Sequence, residues 1–292
     1  MTRRGLFAPA LGLLAAACSP LSLLNTFGPR DGGARRAARD IAYGDDPRQR
    51  MDLYAPKAPG PHPVLVFFYG GGWDSGSRDL YGWAAQALAA QGFVVALPDY
   101  RLVPQVHFPA FIEDAALATA RVGEIAGQYG ADPARLGVIG QSAGAHLAMM
   151  ITLDRRYMAA VGAPGLIKAA VGLAGPYDFL PFDVPASVNA FGRVADPTLT
   201  QPVTFARADA PPLWLGHGEP DVVVESVDST ILADRMRANR TQALTTAYVA
   251  DYATSSSSHT VTGTRAAKDL AEWLNSLALK LPDGQGKIEK SG

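Results

Sequence analysis

Residues 136–151 read LGVIGQSAGAHLAMMI, and this stretch decides the fold. Leu136–Ile139 is a short apolar run of strand type, Gly140-Gln141-Ser142-Ala143-Gly144 fits G-x-S-x-G, and Ala143–Ile151 is rich in helix formers. A chain that passes from strand to helix through one serine has to turn sharply there. Glycines two places either side of Ser142 leave room for the turn, and the helix N-terminus beneath it favours developing negative charge. This arrangement predicts a strained serine whose hydroxyl stands ready as a nucleophile.

The flanking sequence alternates in the same manner. Val64–Tyr69 (VLVFFY) is a continuous apolar run, as expected for a strand buried on both faces. Asp79–Gln91 reads as a helix ended by Gly92, Phe93–Leu97 as a strand, and Phe111–Tyr129 as a long helix closed by Gly130. Ala169–Leu173, Leu213–Gly216 and Ala247–Ala250 are further strand candidates, with helical patterns over Val227–Ala238 and about 264–279. Such alternation predicts an α/β fold with a mostly parallel central sheet and helices on both faces. Sites in these sheets gather at the carboxyl ends of the strands. Residues 181–207 hold four prolines without clear periodicity and read as a small cap segment. Residues 18–38 read as a linker rich in Gly, Pro and Arg, and the segment from 281 as a frayed tail, leaving 39–280 for the domain.

Tyr69-Gly70-Gly71-Gly72-Trp73 ends the first strong strand. Three glycines expose backbone N–H groups, as an oxyanion hole requires, and the expected donors are Gly71, Gly72 and Ala143. In a triad built on this elbow, the acid and then the base follow the serine in chain order. Of the five histidines, His62 and His107 precede Ser142, His146 shares its helix, and His217 precedes the likely acid. His259 is therefore assigned as the base. Glu219, Asp221 and Asp228 follow the strand Leu213–Gly216; Asp221, in the turn GEPDVV, is favoured, with Glu219 in reserve. Trp73, Phe182, Phe191 and Val222 are assigned to an apolar substrate pocket, ordinary core positions being the alternative for each.

Of the 292 residues, 48% are hydrophobic and 18% charged, which is an ordinary globular balance. Basic and acidic residues number 26 and 27 with no basic stripe, so no nucleic-acid partner is expected. The single cysteine, Cys18, cannot form an internal disulfide, no Cys/His cluster has zinc-ligand spacing, and no cofactor or metal is expected. Two arginines in Met1–Arg4 precede an uncharged Leu- and Ala-rich stretch, Leu6–Ala17, which has the pattern of a secretory signal and is short for a membrane span. Residues 14–18, LAAAC, resemble the lipobox of bacterial lipoproteins, and residues 2–7 loosely resemble a twin-arginine export signal. That resemblance implies an exported periplasmic or cell-envelope protein, held at the membrane only by lipid on Cys18. A plain cleaved signal is the alternative.

Residues 129–148, YGADPARLGVIGQSAGAHLA, look like the elbow segment of bacterial α/β-hydrolases of the carboxylesterase and feruloyl-esterase-like group. They are also similar to kynurenine formamidases and isoprenylcysteine methylesterases. The same relatives typically carry DYRL, here Asp99–Leu102; FPA followed by ED, here Phe108–Ala110 with Glu113 and Asp114; YDF, here Tyr177–Phe179; and HGxxD, here His217–Asp221. Their oxyanion motif usually starts with His, where this chain has Tyr69, and their base usually lies in a GHxH setting, where this chain has SSSSHT. The resemblance spans about 41–279 and implies the α/β-hydrolase fold and a serine esterase acting on small-molecule esters through an acyl-enzyme. An amidase or aryl formamidase with the same triad stays open, as does a non-catalytic, lipid-anchored binding protein on a hydrolase scaffold.

Overall fold

The structure, a computed structural model, describes residues 32–219, 226–239, 241 and 243–249. Eight strands of the described residues form one sheet: β1 (Ala34–Ala42), β2 (Arg50–Pro56), β3 (His62–Phe68), β4 (Val94–Pro98), β5 (Ala131–Gln141), β6 (Ile167–Leu173), β7 (Leu213–Glu219) and β8 (Ala243–Val249). Their order across the sheet is β1-β2-β4-β3-β5-β6-β7-β8. β2 runs antiparallel to both its neighbours, and every other pairing from β4 to β8 is parallel. The helices are α1 (Arg78–Ala90), α2 (Ala110–Ile125), α3 (Ala143–Leu153), α4 (Arg155–Ala160), α5 (Pro185–Phe191) and α6 (Ser226–Ala238).

The core follows from the apolar runs. Strand β3 lies between β4 and β5, and Val64 through Phe68 are all buried. With both faces covered, each of these side chains contributes about 1.5–3 kcal/mol by leaving water. Helix α3 is buried along its whole length, as a helix that is apolar all round must be.

Sheet register sets the place of the site. Phe68 stands beside Gly140, Gln141 beside Leu173, and Leu173 beside Gly216. The carboxyl ends of β3, β5, β6 and β7 are thus nearly level, and the segments that leave them emerge along one edge.

The expected α/β architecture is present, with differences at its margins. A strand begins at Ala34, inside the stretch expected to be a linker up to residue 38, and pairs with β2. Strand β5 starts at Ala131 rather than Leu136, with an irregular register between His62 and Val64 on its partner. The long helix expected up to Tyr129 ends at Ile125, followed by a 3-10 turn, Ala126–Tyr129, and by Gly130 at φ 76°. Residues 181–207 hold α5 and two 3-10 turns, so the cap segment is small. The helix expected near 264–279, the signal segment and the tail lie outside the described residues.

Candidate active site

Ser142 joins β5 to α3 with φ 54° and ψ −123°. Few L-residues adopt such a backbone, and holding one there costs on the order of 1–3 kcal/mol. Local packing enforces the turn. A Cβ on Gly140 would collide with the Gly144 carbonyl, and one on Gly144 with the carbonyls of Phe68 and Tyr69. Both glycines of the motif are thus required by close approach of backbone to backbone. The Ser142 N–H donates to the Leu173 carbonyl at 2.8 Å, which ties the elbow to β6. Serine is a favoured helix N-cap, yet the Ser142 side chain makes no capping bond. Its hydroxyl is left for other work.

The glycine loop lies against this elbow. A Cβ on Gly70 would stand 3.0 Å from the Ser142 Cβ. Gly71, Gly72 and Trp73 follow with φ of 134°, 58° and 62°, three successive positive values that turn the loop sharply. The Asp74 and Ser75 N–H groups close this turn on the Gly71 carbonyl, at 3.1 and 3.0 Å. The N–H groups of Gly71, Gly72 and Ala143 have no hydrogen-bond partner among the described residues. Three free donors in segments adjoining one serine are what an oxyanion site needs.

Tyr69 is fully buried and anchors the base of the loop. Its hydroxyl donates to Asp99 Oδ1 at 2.8 Å and accepts from Arg48 Nη2 at 2.9 Å. The same Arg48 nitrogen donates to the Gly76 carbonyl at 2.9 Å, so one guanidinium spans both ends of the loop. The Tyr69 ring lies between Tyr81 and Tyr100, with centroids 5.4 and 4.9 Å away. Asp99 was visible in the DYRL motif; Arg48 carried no signal in the sequence.

Trp73 and Phe191 are buried and pack edge-on at 4.8 Å, while the half-buried Phe182 stacks on Phe191 at 5.7 Å. They form an aromatic cluster with Phe179 and His146 under the cap, and none of them lines the 680 Å³ cavity found beside the loop. Their large apolar surfaces are satisfied by one another. Asp221, Val222, His259 and Cys18 lie outside the described residues.

Two other histidines are buried in the described residues. His217, at the end of β7, is buried with Nδ1 3.2 Å from the Ser229 hydroxyl. His146 is fully buried one turn after Ser142, and its Nε2 lies 2.8 Å from the Thr200 carbonyl. This bond joins the nucleophile helix to the cap segment. Asp228, an acid candidate, is buried in α6 with Oδ2 3.4 Å from the Tyr177 N–H.

Burial pushes the His146 imidazolium down to a pKa of about 4, against a smaller opposing effect of the Thr200 carbonyl. The unfolded chain then binds a proton at about pH 6.5 that the folded chain refuses until about 4. Stability from this group is therefore fully present above pH 6.5 and lost as pH falls towards 4. The expected loss is about 3 kcal/mol. Urea midpoints measured across this range should show a component that vanishes in His146→Leu; an identical acid slope in both proteins would contradict it.

The sequence profile of the BD-FAE family matches residues 51–236. This chain belongs to the BD-FAE family. Its BD-FAE segment takes in both the glycine loop and the elbow. Among curated relatives, Esterase LipC of Mycobacterium tuberculosis is 33% identical over 221 residues, covering 68% of this chain and 55% of LipC. A probable isoprenylcysteine alpha-carbonyl methylesterase, ICME, of Oryza sativa subsp. japonica is 38% identical over 151 residues, covering 50% of this chain and 36% of that protein. The matches thus span about a third to just over half of these relatives' length. Among solved structures, a truncated carbohydrate esterase from gut microbiota superposes with a TM-score of 0.73 at 20% identity, covering 86% of this chain and 99% of that one. The carboxylesterase EstE1, cloned from a metagenomic library, gives 0.69 at 22% identity, covering 84% and 89%. At such identities the BD-FAE chain shares with them the α/β-hydrolase fold.

Proposed function

We propose that this protein is a serine carboxylic ester hydrolase that works through an acyl-enzyme. One observation carries the reading: Ser142 sits uncapped on a strained turn against the glycine loop at Gly70, and the N–H groups of Gly71, Gly72 and Ala143 have no partner among the described residues. The esterase and methylesterase names of the relatives support it. In the proposed reaction Ser142 Oγ attacks the ester carbonyl carbon while His259 takes its proton. Asp221 orients the imidazole and stabilises its cation. The three N–H groups hold the negative oxygen of the tetrahedral intermediate, whose charge also meets the N-terminus of α3. The bond to the alcohol oxygen then breaks, and that oxygen leaves with the proton from His259. Water, deprotonated by His259, attacks the acyl carbon and releases the acid and Ser142.

An amidase or formamidase would use the same groups and differ only in its leaving nitrogen. Purified protein assayed on paired phenyl acetate and formanilide substrates separates the readings. The ester should turn over faster; preferential cleavage of the formamide would replace the esterase reading with an aryl formamidase.

The same proposal places the enzyme outside the cytoplasm, tethered by lipid on Cys18, as the signal pattern in residues 1–18 supports. Cys18→Ser is expected to move the activity from the membrane to the soluble fraction. Mass spectrometry of an unlipidated mature N-terminus at another residue would refute the anchor.

A further inference from the structure

Beside the oxyanion loop the described residues line an open cavity of about 680 Å³. That volume suits a small-molecule ligand. Asp74 contributes from the glycine loop, Val103 and His107 from the segment after β4, and Val188, Asn189 and Arg193 from the cap helix α5 and the turn after it. The three walls are tied together. The Val103 N–H donates to the Trp73 carbonyl at 3.0 Å, the Phe108 N–H to the Ala190 carbonyl at 3.1 Å, and His107 Nδ1 lies 2.9 Å from the Asn189 carbonyl. The cavity is thus built into the fold rather than left between loose segments.

Asp99, Asp52 and Asp114 are each matched by an arginine. Asp74 and Arg193, both exposed, line one cavity, carry opposite charge, and form no ion pair with each other or with any other described residue. Asp74 belongs to the loop and Arg193 to the cap, so the two face the space from different sides. Asp74 Oδ1 lies 3.6 Å from the place of a Cβ on Gly72, one of the expected oxyanion donors.

We propose that this cavity is a leaving-group subsite for alcohols that carry both charges, an ammonium held by Asp74 and a carboxylate held by Arg193. The inference rests on the ester-hydrolase reading, since it assigns the alcohol half of the substrate. Val103 and Val188 offer apolar contact for the carbon atoms between the two charged ends. A neutral alcohol fills the same space but leaves both charges to water.

Acetate esters of four alcohols test this: carnitine, which carries both charges; choline, a cation; 3-hydroxybutanoate, an anion; and 3,3-dimethylbutanol, the neutral counterpart of choline. Exposed ion pairs are worth up to about 1 kcal/mol each, or about fivefold. Acetylcarnitine should therefore exceed the neutral ester in kcat/KM by about tenfold or more, with the advantage shrinking as salt rises. Asp74→Asn should lower the choline-to-neutral ratio, and Arg193→Gln the carnitine-to-choline ratio, each variant acting on one ratio only. Hydrolysis of the neutral ester with no charge preference overturns the subsite and leaves the esterase intact. A preference for cations alone, indifferent to Arg193→Gln, overturns the two-ended form. Failure on all four esters and on p-nitrophenyl acetate overturns both readings.

Discussion

Ser142→Ala is expected to lower ester turnover by about 10⁴-fold or more while leaving the protein folded. The substitution removes one oxygen. That oxygen caps no helix, and the bonds that hold the turn come from the backbone: the Ser142 N–H to Leu173, and the Ser142 carbonyl to the N–H groups of Ala145 and His146. Alanine meets the same strain at φ 54° as serine does, so the melting temperature should stay within about 2 °C of the parent. A residual rate above that in water should survive, because the N–H groups of Gly71, Gly72 and Ala143 remain to hold a developing oxyanion. Unchanged hydrolysis by a folded Ser142→Ala protein would contradict the assignment of the nucleophile.

The second large effect is at the base. His259→Ala is expected to cost about 10²–10⁴-fold or more in kcat, because His259 both activates Ser142 and protonates the leaving group. Chain order points to it. His259 lies thirty-eight positions after Asp221, and between them the chain runs through α6 and β8, which returns it to the sheet beside β7. The competing histidines are engaged elsewhere. His146 is buried between the cap and the nucleophile helix on its Thr200 bond, and His217 is held beside Ser229 on α6. His146→Ala and His217→Ala should therefore retain far more turnover per folded molecule. Equal damage from His217→Ala, with the fold retained, would move the base to His217.

The parts of the fold that lay open in the sequence are those buried on both faces. Strand β3 and helix α3 show as apolar runs because no side of either meets water. The β1 and β2 edge of the sheet was hidden in the sequence. Strand β1, ARRAARDIA, pairs on one side only and carries exposed arginines, so it reads as polar linker. Strand β2 is buried but contains Asp52, whose charge meets Arg78 and Arg36, and one buried carboxylate breaks the apolar pattern. In the site, the elbow and glycine loop were legible because close backbone contacts demand glycine at fixed places. Arg48 was not, because its bonds to Tyr69, Gly76 and Tyr100 join residues far apart in the chain. The aromatic side chains under the cap read equally well as pocket or core, and in the fold Trp73 and Phe191 are buried against His146.

The central claim, that Ser142 is the activated nucleophile of an acyl-enzyme, is tested most directly by covalent labelling. A fluorophosphonate bonds stably to a serine that a neighbouring base activates: the base takes the hydroxyl proton, fluoride leaves phosphorus, and the reagent's phosphoryl oxygen is held in the oxyanion site. The purified protein should take up one equivalent, lose its hydrolytic activity in step, and yield on digestion a single modified peptide with the adduct on Ser142. An active preparation that takes up no label, or carries it on another residue, would contradict the account.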